Sequence, residues 1–302
     1  MNTLCESPFF SLPPCPRSLT NDHIKQFQEN GYLAFSEVLS EADVVEAREA
    51  LAALTCDLVT DPRTHYVPPQ PTLKMIGAGA RYSRRGGRSA MHLEANYDPA
   101  GRPLAEIAKK VRKYWSFSGE AEVFPRMLGA GSPLRAVVEG LLGPDPLPFQ
   151  EMALVKPPFV GSEKPWHQDG AYFLVMPLDA TLGVWIALDD AGVENGCMHV
   201  IPGAHREGAV RHHHGVDCEI DPALLTVDRA VAVPIPAGGA MFFHGLLPHE
   251  TPPNRSPEQR RALQFHFRSA QSRLVDELAY DKTFINREGD PASCRSASRL
   301  GF

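Results

Sequence analysis

One short motif places the strictest demand on the fold. Trp166-His167-Gln168-Asp169 sets an imidazole and a carboxylate two residues apart. In an extended segment two such side chains point to the same side of the strand. Two His and one carboxylate on one face suit Fe(II) in non-haem oxygenases and leave the opposite coordination face open. The third ligand must come from elsewhere, and the candidate is His249, in the run Phe242 to Thr251, eighty residues past Asp169. A basic residue, Arg260, opens the next strand-like run, Arg260 to Phe267. Alone, His-x-Asp is met on many surface loops that hold nothing. The ordered set of pair, strand-turn-strand, distant His and basic residue requires a fold that returns the chain to the pair.

Composition narrows the class of fold. The chain has 302 residues, 43% hydrophobic and 22% charged, which describes an ordinary globular protein. A net charge of −6 and a pI near 6.1 give no electrostatic footprint for nucleic acid. Proline is frequent, 28 of 302, against roughly 5% on average, which favours loops and edges over long helices. The six Cys, at 5, 15, 56, 197, 218 and 294, form no C-x-x-C pair or dense framework. They read as reduced thiols in a reducing compartment. No run of about 18 apolar residues exists, so no membrane span is expected. The first sixteen residues lack the basic and apolar regions of a secretory signal, and Arg299-Leu300-Gly301-Phe302 is not a peroxisomal address of the Ser-Lys-Leu type. The cytoplasm is the default compartment.

Along the chain, residues 1 to 17 read as an irregular arm. Thr20 caps a helix with Ile24 and Phe27 on its apolar face and Gly31 as its stop. Tyr32 to Phe35 is a strand. Ser40-x-x-Asp43 opens a helix carrying Val44, Ala47, Leu51 and Leu54. From Asp57 to Gly101 the pattern dissolves into a long loop, the kind that forms lids and binding loops. Within it, Arg84, Arg85 and Arg88 are expected either on a solvated face or at an anionic substrate group. Pro103 to Trp115 is predicted helical, as is Ser132 to Gly143 with Pro133 at its first position. From Leu147 the chain becomes β: Leu147 to Lys156, Thr181 to Leu188, Cys197 to Ile201, Ala230 to Ile235, Met241 to His249, and Arg260 to Ser269. Gly208 to Asp228, with His212-His213-His214, reads as a polar loop. Short strands with turn signals at this spacing suggest a sandwich or jelly roll. The stretch from Ser272 is loop or short helix.

With these residues in view, the sequence resembles the phytanoyl-CoA dioxygenase family of Fe(II)/2-oxoglutarate oxygenases. The resemblance runs over most of the chain. It is carried by Asn30 to Leu33, by Met152 to Pro158, by Trp166-His167-Gln168-Asp169 and by Leu182 to Leu188. Glu194-Asn195-Gly196-Cys197 through Ile201 to His205, Phe243 to His249 and the Arg260-Arg261 pair complete it. It implies one dioxygenase domain over 1–302: a helical part over 1–146 with the loop 57–101, a double-stranded β-helix (an eight-stranded jelly roll) over 147–270, and a tail over 271–302. It implies His167, Asp169 and His249 as iron ligands and Arg260 as the partner of the far carboxylate of 2-oxoglutarate. Met152 and Trp185 would line the co-substrate pocket, and Lys113, with Lys110 as a rival, would also contact 2-oxoglutarate. The implied reaction uses O₂, converts 2-oxoglutarate to succinate and CO₂, and hydroxylates an unactivated C–H of a small or mid-sized organic molecule. Halogenating relatives lack the carboxylate ligand, so Asp169 argues for hydroxylation.

Other residues compete for these roles. His244 lies five before His249, which on one regular strand faces the other way; it is expected to be structural, as is His205. His212 to His214 are expected on a mobile loop, and His199 in packing or a pocket wall. Arg255 sits in a turn, and Arg261 should face away from Arg260. Three readings stay open: a hydroxylase, an idle metal or 2-oxoglutarate binder of the same fold, and a zinc hydrolase on a similar barrel. The substrate is not readable.

Overall fold

Alternation along single strands builds two packed layers around one interior. The computed structural model describes residues 12–70, 79–84, 89–95 and 97–300, with side chains to 297. The chain begins with α1 (Asn21–Asn30), β1 (Tyr32–Phe35) and α2 (Glu41–Thr60). The Thr20 hydroxyl accepts the His23 N–H, and Gly31 ends α1 at a φ of 82°, the left-handed conformation that glycine adopts most readily. A meander follows: β2 (Thr64–Val67), β3 (Arg81–Arg84), β4 (Ala90–Leu93), α3 (Leu104–Ala108) and β5 (Val111–Trp115). Next come α4 (Val123–Leu128) and α5 (Pro133–Leu142).

The β-rich part holds β6 (Leu147–Lys156), β7 (Lys164–His167), β8 (Val175–Met176), β9 (Thr181–Ala187) and β10 (Met198–Val200). It continues with β11 (His212–His214), β12 (Cys218–Ile220), β13 (Val231–Val233), β14 (Ala240–His244), β15 (His249–Thr251) and β16 (Arg260–Arg268). The chain closes with β17 (Arg273–Leu274), α6 (Glu277–Asp281) and α7 (Cys294–Leu300).

Among the described residues the major sheet has the order β1-β14-β9-β16-β6-β5-β4-β3-β2, and the minor sheet the order β13-β10-β15-β7. The central β14-β9-β16-β6 faces β13-β10-β15-β7, and the chain passes back and forth between the two sheets, with β10 and β13 adjacent in the minor one. That is the eight-stranded jelly roll of the double-stranded β-helix. All pairings in both sheets are antiparallel.

β9 is buried along its whole length. Leu182, Val184 and Ile186 pack with α2, α4 and α5 on the outer face, while Trp185 and Ala187 enter the interior with Met198, Val200, Met241 and Phe243. Period-two alternation assigns the two sets to opposite faces. A Cβ at Gly183 would lie 2.2 Å from the Phe243 ring, so only glycine lets that ring lie flat over the strand.

The expected long loop over 57–101 is largely structured. α2 runs on to Thr60, and β2, β3 and β4 extend the major sheet. These strands are short and polar on their outer side, so a search for apolar periodicity passes over them. The predicted helix from Pro103 to Trp115 stops at Ala108, and Val111 to Trp115 is β5. Val111 and Tyr114 are buried there, a spacing that helix and bulged strand share. The polar stretch from Gly208 holds the hairpin β11–β12. The single strand expected from Met241 to His249 is two strands, β14 in one sheet and β15 in the other.

A disulfide joins Cys218 to Cys294, 76 residues apart. The expectation of reduced thiols therefore fails for these two. Cys15, Cys56 and Cys197 are free, and Cys5 lies outside the described residues. The pairing was invisible in sequence because it depends on α7 folding back onto the β11–β12 hairpin. No helix among the described residues is long and apolar enough to cross a membrane. Because the bridge closes a long loop, Cys294→Ser is expected to cost about 2–4 kcal/mol in urea unfolding. A thiol reductant should lower wild-type stability by a similar amount and leave the variant unchanged.

Candidate functional site

β7 and β15 are neighbours in the minor sheet, and their register sets His249 directly opposite His167. The two rings lie 4.1 Å apart between centroids. β7 ends at His167, and Asp169 begins a short 3-10 turn over Asp169–Tyr172. Asp169 Oδ1 is 3.4 Å from His167 Nε2 and 3.8 Å from His249 Nε2. One ligand atom from each of these three buried residues falls within 4.8 Å of the others. Ligand atoms about 2.1 Å from an ion and at right angles stand about 3 Å apart, so the three side chains need only close in on one another by about an ångström to hold one ion.

The tautomers agree with that use. His167 Nδ1–H donates to the Pro165 carbonyl at 2.8 Å, and His249 Nδ1–H donates to the Leu247 carbonyl at 2.9 Å. Each Nε2 lone pair is thereby turned toward Asp169. Burial, then His167, drives the His249 pKa down to about 3, with Asp169 opposing, so this ring is neutral as a ligand must be. Burial pushes the Asp169 carboxyl up, but His266 beside it outweighs this and holds the carboxyl well below the usual range.

The turn between these residues is braced on every side. The Gln168 amide donates to the carbonyls of Gly208 and Leu246 at 2.9 and 2.8 Å, and its oxygen accepts the Val210 N–H at 2.9 Å. The Gln168 N–H donates to His212 Nε2 at 3.0 Å. Asp169 Oδ2, the oxygen turned from the His pair, accepts from His266 Nε2 at 2.7 Å and from Gln264 Nε2 at 3.2 Å.

These groups open on a cavity of about 340 Å³, within the range of small-molecule sites. His167, Asp169, His249, Met152, Trp185, Lys113 and Arg260 all line it. Lys110 does not; its ammonium lies over the Tyr97 ring. Arg260 is 1% exposed. Its guanidinium sits 5.3 Å from the Trp185 ring, and one Nη donates to the Leu154 carbonyl at 3.4 Å. No carboxylate among the described residues pairs with it, and its Nε and the Trp185 Nε1 are buried without a partner. Burial pulls the Arg260 pKa down to about 10. A buried cation beside unsatisfied donors is costly unless an anion fills the space. The site is shaped for one.

A profile of the phytanoyl-CoA dioxygenase (PhyH) family matches residues 27–262. The chain belongs to the phytanoyl-CoA dioxygenase family. It is thus a 2-oxoglutarate-dependent dioxygenase by family. The zebrafish (Danio rerio) phytanoyl-CoA dioxygenase domain-containing protein 1 is 26% identical over 266 residues, covering 84% of this chain and 91% of the relative. The human peroxisomal phytanoyl-CoA dioxygenase is 26% identical over 292 residues, covering 89% and 74%. Among solved structures, EvdO2 from Micromonospora carbonacea var. aurantiaca complexed with 2-oxoglutarate superposes with a TM-score of 0.59 at 24% identity, covering 86% of this chain and 94% of that one. EctD from S. alaskensis with bound Fe gives a TM-score of 0.62 at 20% identity, covering 85% and 79%. These two likenesses establish the fold.

Within this phytanoyl-CoA dioxygenase fold the rival residues have other work. His244 packs its ring against His205 and Phe27. It lies on β14 rather than on the strand of His249, so strand parity was not the operative reason. His212 is buried on β11 and not on a mobile loop; burial, then His167, holds its pKa down to about 3. His199 faces Glu250 at 3.4 Å. Arg261 is bidentate on Asp189 at 2.8 Å, and Arg255 is exposed. Arg84 binds Glu120 through two nitrogens, and Arg85 and Arg88 lie outside the described residues.

Sequence reasoning missed Gln264 and His266. Both lie on β16, in phase with Arg260, so the parity of that strand held the signal. Because His266 fixes the Asp169 carboxylate, His266→Leu is expected to weaken Mn(II) binding by about tenfold to a hundredfold. Anaerobic equilibrium dialysis reads this, and an unchanged affinity would show that Asp169 needs no such support.

Proposed function

We propose that this protein hydroxylates an unactivated C–H of a small or mid-sized organic molecule. Fe(II) would bind at His167, Asp169 and His249, with 2-oxoglutarate converted to succinate and CO₂. One observation carries the reading: the three candidate ligands and the unpaired, buried Arg260 face a single cavity.

The bound iron with 2-oxoglutarate and O₂ would supply the oxidising chemistry. The residues supply the rest. His167, Asp169 and His249 occupy one face, so three positions remain for co-substrate and O₂. The Arg260 fork matches a carboxylate in two parallel hydrogen bonds, which a lysine cannot copy. Its orphaned Nε and the Trp185 Nε1 are donors that a carboxylate satisfies. Met152 and the Trp185 ring would line the cavity that the co-substrate fills. Lys113 is a second cation for the co-substrate. Because the carboxylate ligand is present, halide has no vacated position, and hydroxylation is the favoured outcome. The cytoplasmic placement has lost one support, since two of the six thiols are bridged.

Succinate formation is expected to require Fe(II), O₂ and 2-oxoglutarate, and His167→Ala should abolish it. Zinc-supported or O₂-independent turnover would favour a hydrolase instead. Arg260→Gln should raise the KM for 2-oxoglutarate by about tenfold to a hundredfold.

The pH dependence follows from Lys113. Burial, then Arg112 and Lys164, lowers its pKa to about 7. The cation is present below that value and is lost as the pH rises through it. The kcat/KM for 2-oxoglutarate should therefore fall several-fold between about pH 6 and 8.5, because that ratio reports the free enzyme. Lys113→Met should flatten the profile at the lower level. A wild-type profile unaffected by this substitution would remove Lys113 from the co-substrate site.

A further inference from the structure

Two consecutive cations, Arg112 and Lys113, both line the cavity. On a regular strand adjacent side chains point to opposite faces. Here the register of β4 against β5 shifts: His92 pairs with Lys113, but Leu93 pairs with Val111. Arg112 is the extra residue of a bulge. Bulges re-aim side chains and are frequent beside active sites.

The other cavity cations are already committed. Lys156 donates to the carbonyls of Ser162 and Thr251 at 2.6 and 3.1 Å. Lys164 pairs with Asp217 at 2.7 Å and donates to Tyr172 at 2.7 Å. Arg260 and Lys113 are the groups proposed above for the co-substrate. Arg112 differs. Its Nε donates to Ser162 Oγ at 3.2 Å, and Ser162 in turn donates to Glu94 through Oγ at 2.6 Å and through its N–H at 3.2 Å. This relay fixes one edge of the guanidinium. The terminal Nη pair has no hydrogen-bond acceptor and no carboxylate within 4.0 Å among the described residues.

With Arg260 and Lys113 assigned to the co-substrate and Lys164 paired with Asp217, Arg112 is the lining cation left for the third component. The remaining walls include Leu154, Phe173 and Trp115, which suit a carbon skeleton.

We propose that Arg112 is a specificity-determining residue and that the substrate carries an anionic group, a carboxylate or a phosphate, received by the Arg112 fork. The proposal rests on the oxygenase reading of the same cavity.

The test is calorimetric titration of the full-length protein with hexanoate, hexyl phosphate and hexanol. Each is run on the metal-free protein and on the anaerobic Fe(II)–2-oxoglutarate complex. Hexanoate or hexyl phosphate should bind about tenfold or more tightly than hexanol, and the tighter of the two identifies the group. Arg112→Gln should abolish that preference, while Arg112→Lys should retain part of it. Both variants should bind 2-oxoglutarate within about twofold of wild type below the Lys113 pKa of about 7, where that lysine is charged in all three, which also shows that they are folded. The proposal is overturned if hexanol binds as well as the anions, if neither anion binds, or if Arg112→Gln leaves the preference intact. It is also overturned if 2-oxoglutarate affinity falls in parallel, which would give Arg112 to the co-substrate. Wild-type protein that binds no iron or 2-oxoglutarate would refute the oxygenase reading instead, and the metal-free titrations would still decide the role of Arg112.

Discussion

The antiparallel register that sets His249 opposite His167 is the contact on which the site depends. Cross-strand neighbours in an antiparallel pair stand about 5 Å apart, so the pairing itself brings the two imidazoles within reach of one ion. The ring nitrogens remote from Asp169 are held by main-chain carbonyls close by in sequence, Pro165 and Leu247. Rotation of either ring would break a buried hydrogen bond, so the ligand face is fixed before any ion arrives. A slip of one residue would send His249 to the outer face of the sheet.

Asp169 lies beyond the end of β7 and cannot be placed by the ladder. Its position comes from the turn that follows, and that turn is held from three directions. Gln168 spans to Gly208, Val210 and Leu246. The Gly170 N–H donates to the Gly245 carbonyl, and the Tyr280 hydroxyl donates to the Gly170 carbonyl. His212 accepts from the Gln168 N–H and also contacts the Ala292 carbonyl. The β11–β12 hairpin and the closing segment, joined by Cys218–Cys294, thus brace the metal-side turn directly. At the other end of the cavity Arg260 is kept charged, buried and unpaired. Such a group is unfavourable in isolation, and a diacid placed between it and the three ligands would relieve that cost.

The jelly roll was legible because strand sequences carry their own evidence, and its strands bring the four proposed residues to one cavity. Thr181 to Leu188 is nearly all apolar, and that is what a strand covered on both faces requires. The motif His167-x-Asp169 and the residues His249 and Arg260 sit at or beside strand ends, where spacing in sequence maps onto place in the fold. The sheet extension was not legible, since β2, β3 and β4 are four residues each, too short to show a period. β5 reads as helix in the sequence because its bulge spaces Val111 and Tyr114 three apart, as a helix would. That same irregularity turned Arg112 into the cavity. Gln264 and His266 were passed over as strand interior, although they share the face of Arg260 and Asp169 needs their donors. The disulfide depended on two segments that no local pattern brings together.

Diffraction at the iron edge, from crystals grown anaerobically with Fe(II) and 2-oxoglutarate, decides whether these residues form one centre. One strong anomalous peak bonded to His167 Nε2, Asp169 Oδ1 and His249 Nε2 is expected, with 2-oxoglutarate extending from that ion to the Arg260 guanidinium. Iron bound elsewhere, for example at the imidazoles of His213 or His214, or a diacid that leaves Arg260 unpaired, would contradict it.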